Sequence, residues 1–159
     1  MKKIALMMIL SVLVWGAPSA VSASRGCYLA QELEAEQGLR IHSELRVIGL
    51  TCQNRPNGRG LYQKYNKFTT KNQYLIGEYE KIMLAHFGRL NGDAEKQLNN
   101  LMTEMSNNVS QLAIRMNMVS FCQHYSPRLD QALAMDHDRL RHWARQSRPG
   151  QPASKPLCR

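Results

Sequence analysis

The sequence lacks the alternating runs of Val, Ile and Thr that are typical of β-strands. Its apolar residues recur instead at spacings of three and four, the period of amphipathic α-helices. Downstream of the N-terminal segment it also lacks any apolar run near the roughly 20 residues that a membrane-spanning helix needs. The sequence therefore predicts an all-α fold, and it predicts no membrane span after that segment.

Motifs for catalysis and cofactor binding are also missing. Cys122-Gln123-His124 comes nearest to a c-type haem motif, but it lacks the first cysteine of Cys-x-x-Cys-His. The five histidines show neither a pairing at i, i+4 nor the Glu-x-x-His arrangement of metal sites in helical bundles. No Ser or Cys has a context that indicates an activated nucleophile. We therefore expect a non-enzymatic protein, with no catalytic residues, no cofactor and no metal ligands.

The N-terminal segment has the three parts of a secretory signal peptide. Met1-Lys2-Lys3 is basic, residues 4–15 are apolar, and Val21-Ser22-Ala23 supplies small residues for cleavage. We expect residues 1–23 to be removed, with no membrane anchor left behind. The two lysines and the short apolar run fit export to a bacterial periplasm or secretion.

The remaining chain is basic. It keeps 19 of the 21 Lys and Arg residues and all 12 acidic residues, a formal charge of +7. For an exported protein this charge indicates an anionic component of the cell envelope or an acidic protein as partner, rather than nucleic acid.

Much of the positive charge lies near the C-terminus, close to Trp143. The candidate contacts for an anionic surface are Arg139, Arg141, Arg145, Arg148 and Lys155. Three acidic residues near the start of the first predicted helix, Glu32, Glu34 and Glu36, lie at the same end of the predicted fold. Neutralisation of part of the basic region by these glutamates is the alternative that the sequence leaves open.

The helical periodicity predicts four helices, over about 28–49, 61–88, 94–124 and 127–146. Asp93 is the predicted N-cap of the third helix, and Ser126-Pro127 begins the fourth. Long helices joined by short turns predict an up-down-up-down four-helix bundle over residues 24–146. Residues 147–159 contain three prolines and a glycine, which predict an irregular basic tail.

Four cysteines remain after signal removal, and an even number in an oxidising compartment indicates two disulfides. Cys27 and Cys52 bracket the first predicted helix, about 37 Å apart, so they cannot pair with each other. In the up-down topology Cys52 and Cys122 share one end of the bundle, and Cys27 shares the other end with Cys158. The predicted disulfides are therefore Cys52–Cys122 and Cys27–Cys158, the second tying the tail to the bundle.

A polar residue interrupts the apolar seam of the second predicted helix. Asn72 at this position sets helix register in one interpretation. In the other, it lines a polar pocket with Tyr65 and Tyr79, whose hydroxyls need partners when buried. A pocket there predicts an alternative function, a periplasmic carrier of a metal ion or a small apolar ligand held between the helices.

Overall fold

The computed structural model describes residues 26–56, 58–90, 92–146 and 151–158, and over these ranges the chain is helical. The helices are α1 (Ala30–Cys52), α2 (Leu61–Gly88), α3 (Ala94–Arg115), α4 (Met118–Tyr125), α5 (Pro127–Ala134) and α6 (His137–Arg145). None of the helices in these ranges is both long enough and apolar enough to cross a membrane. The predicted signal peptide, residues 1–23, and the candidate contact Arg148 lie outside the described residues.

Helix α1 lies at the centre of the fold and contacts each of the other five helices. Leu39, Leu45 and Ile48 are fully buried along it. Helix α2 runs antiparallel to α1, because Tyr65 contacts His42 whereas Tyr79 contacts Glu34. A helix covered on all sides must bury its polar as well as its apolar residues, and α1 buries four glutamates.

Helix α3 runs parallel to α1. Ser43 contacts Met102 and Arg46 donates to Ser106, so contacts advance in the same chain direction along both helices. Asp93 is the N-cap of α3, as predicted, and its carboxylate accepts from the backbone N–H of Lys96.

The prediction of four helices is not confirmed, because the third predicted helix is interrupted at Asn117. This residue has φ 68°, a left-handed value that asparagine adopts more readily than most residues. Its side chain accepts from the backbone N–H of Val119 and so begins α4. The break also leaves Val119, in the first turn of α4, about half exposed.

The fourth predicted helix is likewise two helices, α5 and α6. Met135 is extended, and Asp136 is the N-cap of α6, where its carboxylate accepts from the backbone N–H of Arg139. The Nζ of Lys71 donates to the carbonyl oxygens of Leu133 and Met135, which the break leaves without helical partners. Helix α2 therefore stabilises the bend between α5 and α6.

Both predicted disulfides are confirmed. Cys52–Cys122 joins α1 to α4 with a Cα–Cα distance of 5.5 Å, and Cys27–Cys158 joins the two ends of the described chain at 5.0 Å. The second is flanked by an isolated parallel bridge between Tyr28 and Leu157. Tyr28 donates its N–H to the carbonyl of Pro156 and accepts from the N–H of Cys158, so the C-terminal segment is held by backbone as well as covalent bonds.

A glycine on α1 permits a close approach to the ring of Tyr79 on α2. A Cβ at Gly38 would lie 2.2 Å from the ring of Tyr79, which is itself buried. We expect Gly38→Ala to lower the free energy of unfolding by roughly 2–3 kcal/mol, because the ring has no space to move.

The matched control is Gly77→Ala in α2, where a Cβ meets nothing within 4 Å. This substitution should raise the free energy of unfolding by about 0.5–1 kcal/mol, through helix propensity alone. Urea unfolding of the oxidised protein measures both. Equal stability of the two variants would contradict the packing of α1 against α2 at Gly38.

Candidate functional site

Four glutamates of α1 are buried, and each contacts a basic side chain. Their positions are Glu32, Glu34, Glu36 and Glu44. Removing a carboxylate from water is costly unless it is paired and hydrogen-bonded, so these contacts are a condition of folding. They join α1 to the segments packed around it.

Glu34 binds the two arginines of α6. The Nη1 of Arg141 donates to its Oε1 at 2.9 Å, and the Nη1 of Arg145 donates to its Oε2 at 3.1 Å. The Tyr79 hydroxyl donates to Oε1 at 3.1 Å. Burial raises the pKa of that hydroxyl above its ordinary value, and the neighbouring Glu34 charge raises it further. Arg141 also donates to Glu78, which is partly exposed.

Glu36 holds the C-terminal segment. It is fully buried and binds Arg40 of its own helix. Its two oxygens accept from the backbone N–H of Ser154, and Oε2 also accepts from the Ser154 hydroxyl at 2.8 Å. Tyr28 completes this cluster through a 2.8 Å hydrogen bond to Ser154, and burial raises the pKa of Tyr28 above its ordinary value.

Glu32 lies where α1 begins and α2 ends. Its side chain accepts from the backbone N–H of Leu29, as in a capping box, and it binds Arg89 and His86. The second ring nitrogen of His86 lies 3.0 Å from the Nζ of Lys155. Burial lowers the pKa of His86 even though Glu32 opposes that shift. A neutral imidazole thus lies between a carboxylate and an ammonium group.

The fourth glutamate, Glu44, binds Arg128 at the start of α5. Together the four carboxylates contact arginines of three helices and the arginine that directly follows α2. These are Arg40 of α1, Arg128 of α5, Arg141 and Arg145 of α6, and Arg89. This burial was not predicted from the sequence. The spacing of 32, 34 and 36 gave a signal for it, since residues two apart lie roughly 200° apart around a helix, so these glutamates cannot all face solvent on one side.

The basic residues predicted to contact an anionic surface fall into two groups, those paired within the fold and those exposed to solvent. Arg141 and Arg145 bind Glu34, and Lys155 lies beside His86 and over the ring of Tyr28. The Arg139 side chain is 74% exposed, with Asp136 at 3.8 Å. Arg139 is therefore the most solvent-exposed of the predicted contacts that the structure describes.

The three residues of the predicted pocket lie along one buried face of α2, but their polar groups bind different partners. Tyr65 contacts His42 at 3.0 Å, and Tyr79 donates to Glu34. Asn72 is fully buried and donates to the carbonyl of Phe68, its own helix four residues earlier, at 2.9 Å. Its side-chain oxygen is buried without a partner. Within the described ranges, no group of three or more His, Cys, Asp and Glu side chains is placed to hold a metal ion.

Glu34 should contribute more to stability than Glu78, although both side chains bind Arg141, because Glu34 is buried and Glu78 is partly exposed. We expect Glu34→Gln to lower the free energy of unfolding by about 3 kcal/mol, since it leaves two arginines facing a neutral buried group. Glu78→Gln should cost less than about 1 kcal/mol. Urea unfolding at neutral pH measures both variants, and a larger effect of Glu78→Gln would contradict the central role of Glu34.

His42 should make the protein less stable in mild acid. Burial lowers its pKa from 6.5 to about 4, with a smaller contribution from the Arg46 charge. Protonation would put a hydrogen on both ring nitrogens, and Nδ1 is buried without a partner. The unfolded chain therefore binds more protons between these two pKa values, so the free energy of unfolding falls as the pH falls through this window.

From about pH 7 to about pH 5, His42 should contribute roughly 2 kcal/mol to this fall. His86, whose pKa is also lowered, adds to it in the same direction. Urea unfolding at the two pH values should show a smaller fall for His42→Gln than for the control His124→Gln, an exposed position. An unchanged fall in His42→Gln would show that this imidazole is accessible to protons in the folded protein.

Comparisons with known proteins do not assign this arrangement to a family. The chain matches no protein-family model, no curated protein and no solved structure.

Proposed function

We propose that the protein is an exported, non-enzymatic helical binding protein that docks to an anionic component of the cell envelope through its basic surface. Export is supported by the predicted signal peptide and by the two disulfides, which are typical of oxidising compartments. An acidic protein is the second class of partner that the charge suits.

The distribution of charge supports docking. All twelve acidic residues lie within the described ranges, and four of them are buried on α1. The buried carboxylates are held against arginines whose exposure ranges from Arg40, almost completely buried, to Arg145, about half exposed. Burial of acidic groups leaves the protein surface richer in positive than in negative charge, which favours attraction to anionic surfaces.

An exposed tyrosine among lysines is the observation that carries the proposal. Tyr74 of α2 is 80% exposed. Lys67, Lys71 and Lys81 lie at helical spacings of seven, three and seven residues from it, so the four residues share one face of α2, and each of these lysines is exposed. We call these four residues the α2 basic face. A tyrosine with its ring accessible suits the boundary between lipid and water, and each basic residue near an anionic membrane contributes about 1 kcal/mol.

The start of α6 extends this surface. The Nζ of Lys71 binds the carbonyl oxygens of the bend before α6, and His137 lies 3.4 Å from the carbonyl of Lys71. Arg139, in the first turn of α6, follows directly. The proposed contact surface thus comprises the α2 basic face together with Arg139, while Arg141 and Arg145 position α6 through Glu34.

Vesicle co-sedimentation tests the proposal. The mature, oxidised protein should bind vesicles that contain phosphatidylglycerol, and it should not bind vesicles of phosphatidylcholine alone. Binding should weaken when salt rises from about 50 mM to about 200 mM, because the interaction is between surface charges. Lys67→Glu combined with Lys81→Glu should lower the affinity at least tenfold, since it reverses two charges of the surface.

Arg59→Glu combined with Lys96→Glu is the matched control, because it changes the net charge equally at two exposed positions outside the surface. An equal loss in both double variants would show attraction to the overall charge rather than docking through α2. Failure of the unmodified protein to bind anionic vesicles would contradict the membrane proposal, and salt-sensitive capture of an acidic protein instead would favour the second class of partner.

A further inference from the structure

The two disulfides differ in their exposure to solvent. Cys52 and Cys122 line a cleft of about 260 Å³, but Cys52 is fully buried and Cys122 is 7% exposed. Both cysteines of the Cys27–Cys158 disulfide are partly exposed. A disulfide is broken by attack of a thiolate on one of its sulfur atoms, so the rate depends on access to that sulfur. A reductant in solution therefore has the easier approach to Cys27–Cys158.

The C-terminal segment that this disulfide holds, residues 151–158, packs shallowly on α1. All of its residues are exposed or partly exposed, and Leu157 is 49% exposed. A cleft of about 440 Å³ lies between the segment and α3, and a second of about 430 Å³ lies between the segment and α6. Regions with little buried apolar surface open locally at a low cost in free energy. Apolar packing therefore contributes little to holding this segment against α1.

The contacts that join the segment to α1 and to Tyr28 are polar. Ser154 donates its backbone N–H and its hydroxyl to Glu36, and Tyr28 forms backbone hydrogen bonds to the segment through both its N–H and its carbonyl. The net contribution of such bonds is modest, because water replaces them when the segment separates. Separation would also uncover the carboxylate of Glu36, which is fully buried in the oxidised protein. Arg40 of the same helix would stay beside it.

We propose that the Cys27–Cys158 disulfide is a redox-sensitive latch. A dithiol reduces it before Cys52–Cys122, and the C-terminal segment then leaves α1 and uncovers Glu36 while the helices stay folded. The latch goes beyond the docking proposal, because docking uses the α2 basic face and Arg139, and neither belongs to the segment that is released.

The reaction is a thiol–disulfide exchange in which the dithiol is oxidised. Its first thiolate attacks one sulfur of the Cys27–Cys158 bond, forms a mixed disulfide with that cysteine and releases the other cysteine as a thiolate, which takes up a proton. The second thiolate of the reagent then attacks the mixed disulfide and releases the remaining cysteine, which is protonated in turn. The protein disulfide gains two electrons and two protons, and the dithiol becomes a cyclic disulfide.

Graded reduction of the full mature, oxidised protein tests the order of opening. The reagent is dithiothreitol without denaturant, and iodoacetamide then alkylates the free thiols for peptide mapping by mass spectrometry. Cys27 and Cys158 should be alkylated together, at least about tenfold faster than Cys52 and Cys122, because their disulfide is the more accessible. Equal rates, or earlier reduction of Cys52–Cys122, would overturn the proposal.

Amide hydrogen exchange tests whether the segment leaves α1. In protein alkylated at Cys27 and Cys158 alone, the backbone N–H of Ser154 should exchange at least about tenfold faster than in the oxidised protein, since it no longer donates to Glu36. The N–H of Leu75, a buried residue of α2, should keep its protection. Unchanged protection of Ser154 would show that the polar contacts hold the segment without the disulfide. Loss of protection at Leu75 would show that the disulfide holds the whole fold, and either result rejects a latch.

Serine variants separate release of the segment from the chemistry of the reagents. Cys27→Ser combined with Cys158→Ser should show the faster exchange at Ser154 without reduction or alkylation. The matched control is Cys52→Ser combined with Cys122→Ser, which should leave Ser154 protected because Cys27–Cys158 remains. Slow exchange at Ser154 in the first variant would contradict the latch, and so would equal exchange at Ser154 in the two variants while Leu75 stays protected in both.

The same variant keeps the latch and the docking proposal apart. Cys27→Ser combined with Cys158→Ser should bind phosphatidylglycerol vesicles with unchanged affinity, because it leaves the net charge and the α2 basic face as they are. A failure of the unmodified protein to bind vesicles would contradict docking alone, whereas retained protection of Ser154 in this variant would contradict the latch alone.

Discussion

The fold depends on the pairing of four buried carboxylates of α1 with basic groups. A carboxylate removed from water is tolerated only where cations and hydrogen-bond donors replace its hydration. Glu34 takes these from α6, Glu44 takes them from Arg128, and Glu36 takes them from Arg40 and Ser154. Arg128, Arg141, Arg145 and Ser154 lie far from α1 in the chain. Their contacts with these glutamates therefore hold α5, α6 and the C-terminal segment against the central helix. The network thereby sets which basic residues are held against α1 and which remain at the surface.

This pairing separates the basic residues that hold helices together from those that stay exposed to solvent. Arg141 and Arg145 lie in the region where a docking surface was predicted, but their guanidinium groups bind Glu34. Arg139 of the same helix is largely exposed, and α6 begins beside Lys71 of α2. The surface proposed to contact an anionic partner therefore combines residues from two helices that are distant in sequence.

Those parts of the fold that follow from local chemistry and covalent geometry were predictable. The period of three and four along α2 correctly identified a buried face, on which Leu61, Phe68, Leu75 and Tyr79 all lie. Both disulfide pairings followed from the length of one helix and the alternation of chain direction. The helix breaks were missed because apolar periodicity continues through them. At Asn117 a positive φ ends one helix before the next begins, and at Asp136 an N-cap begins a new helix. Neither residue interrupts the apolar pattern.

The helical class, the bridges between cysteines and the excess of positive charge were predictable from the chain alone. These depend on residue type and spacing, which are read directly along the chain. Which charges are buried depends on the packing of the helices, since a glutamate at a helix start can face solvent or an arginine equally well until its neighbours are known. The contact between Glu36 and the backbone of Ser154 likewise depends on packing, because it brings together residues 118 apart in the chain. Burial is a property of the packed molecule, and so are the electrostatics that follow from it.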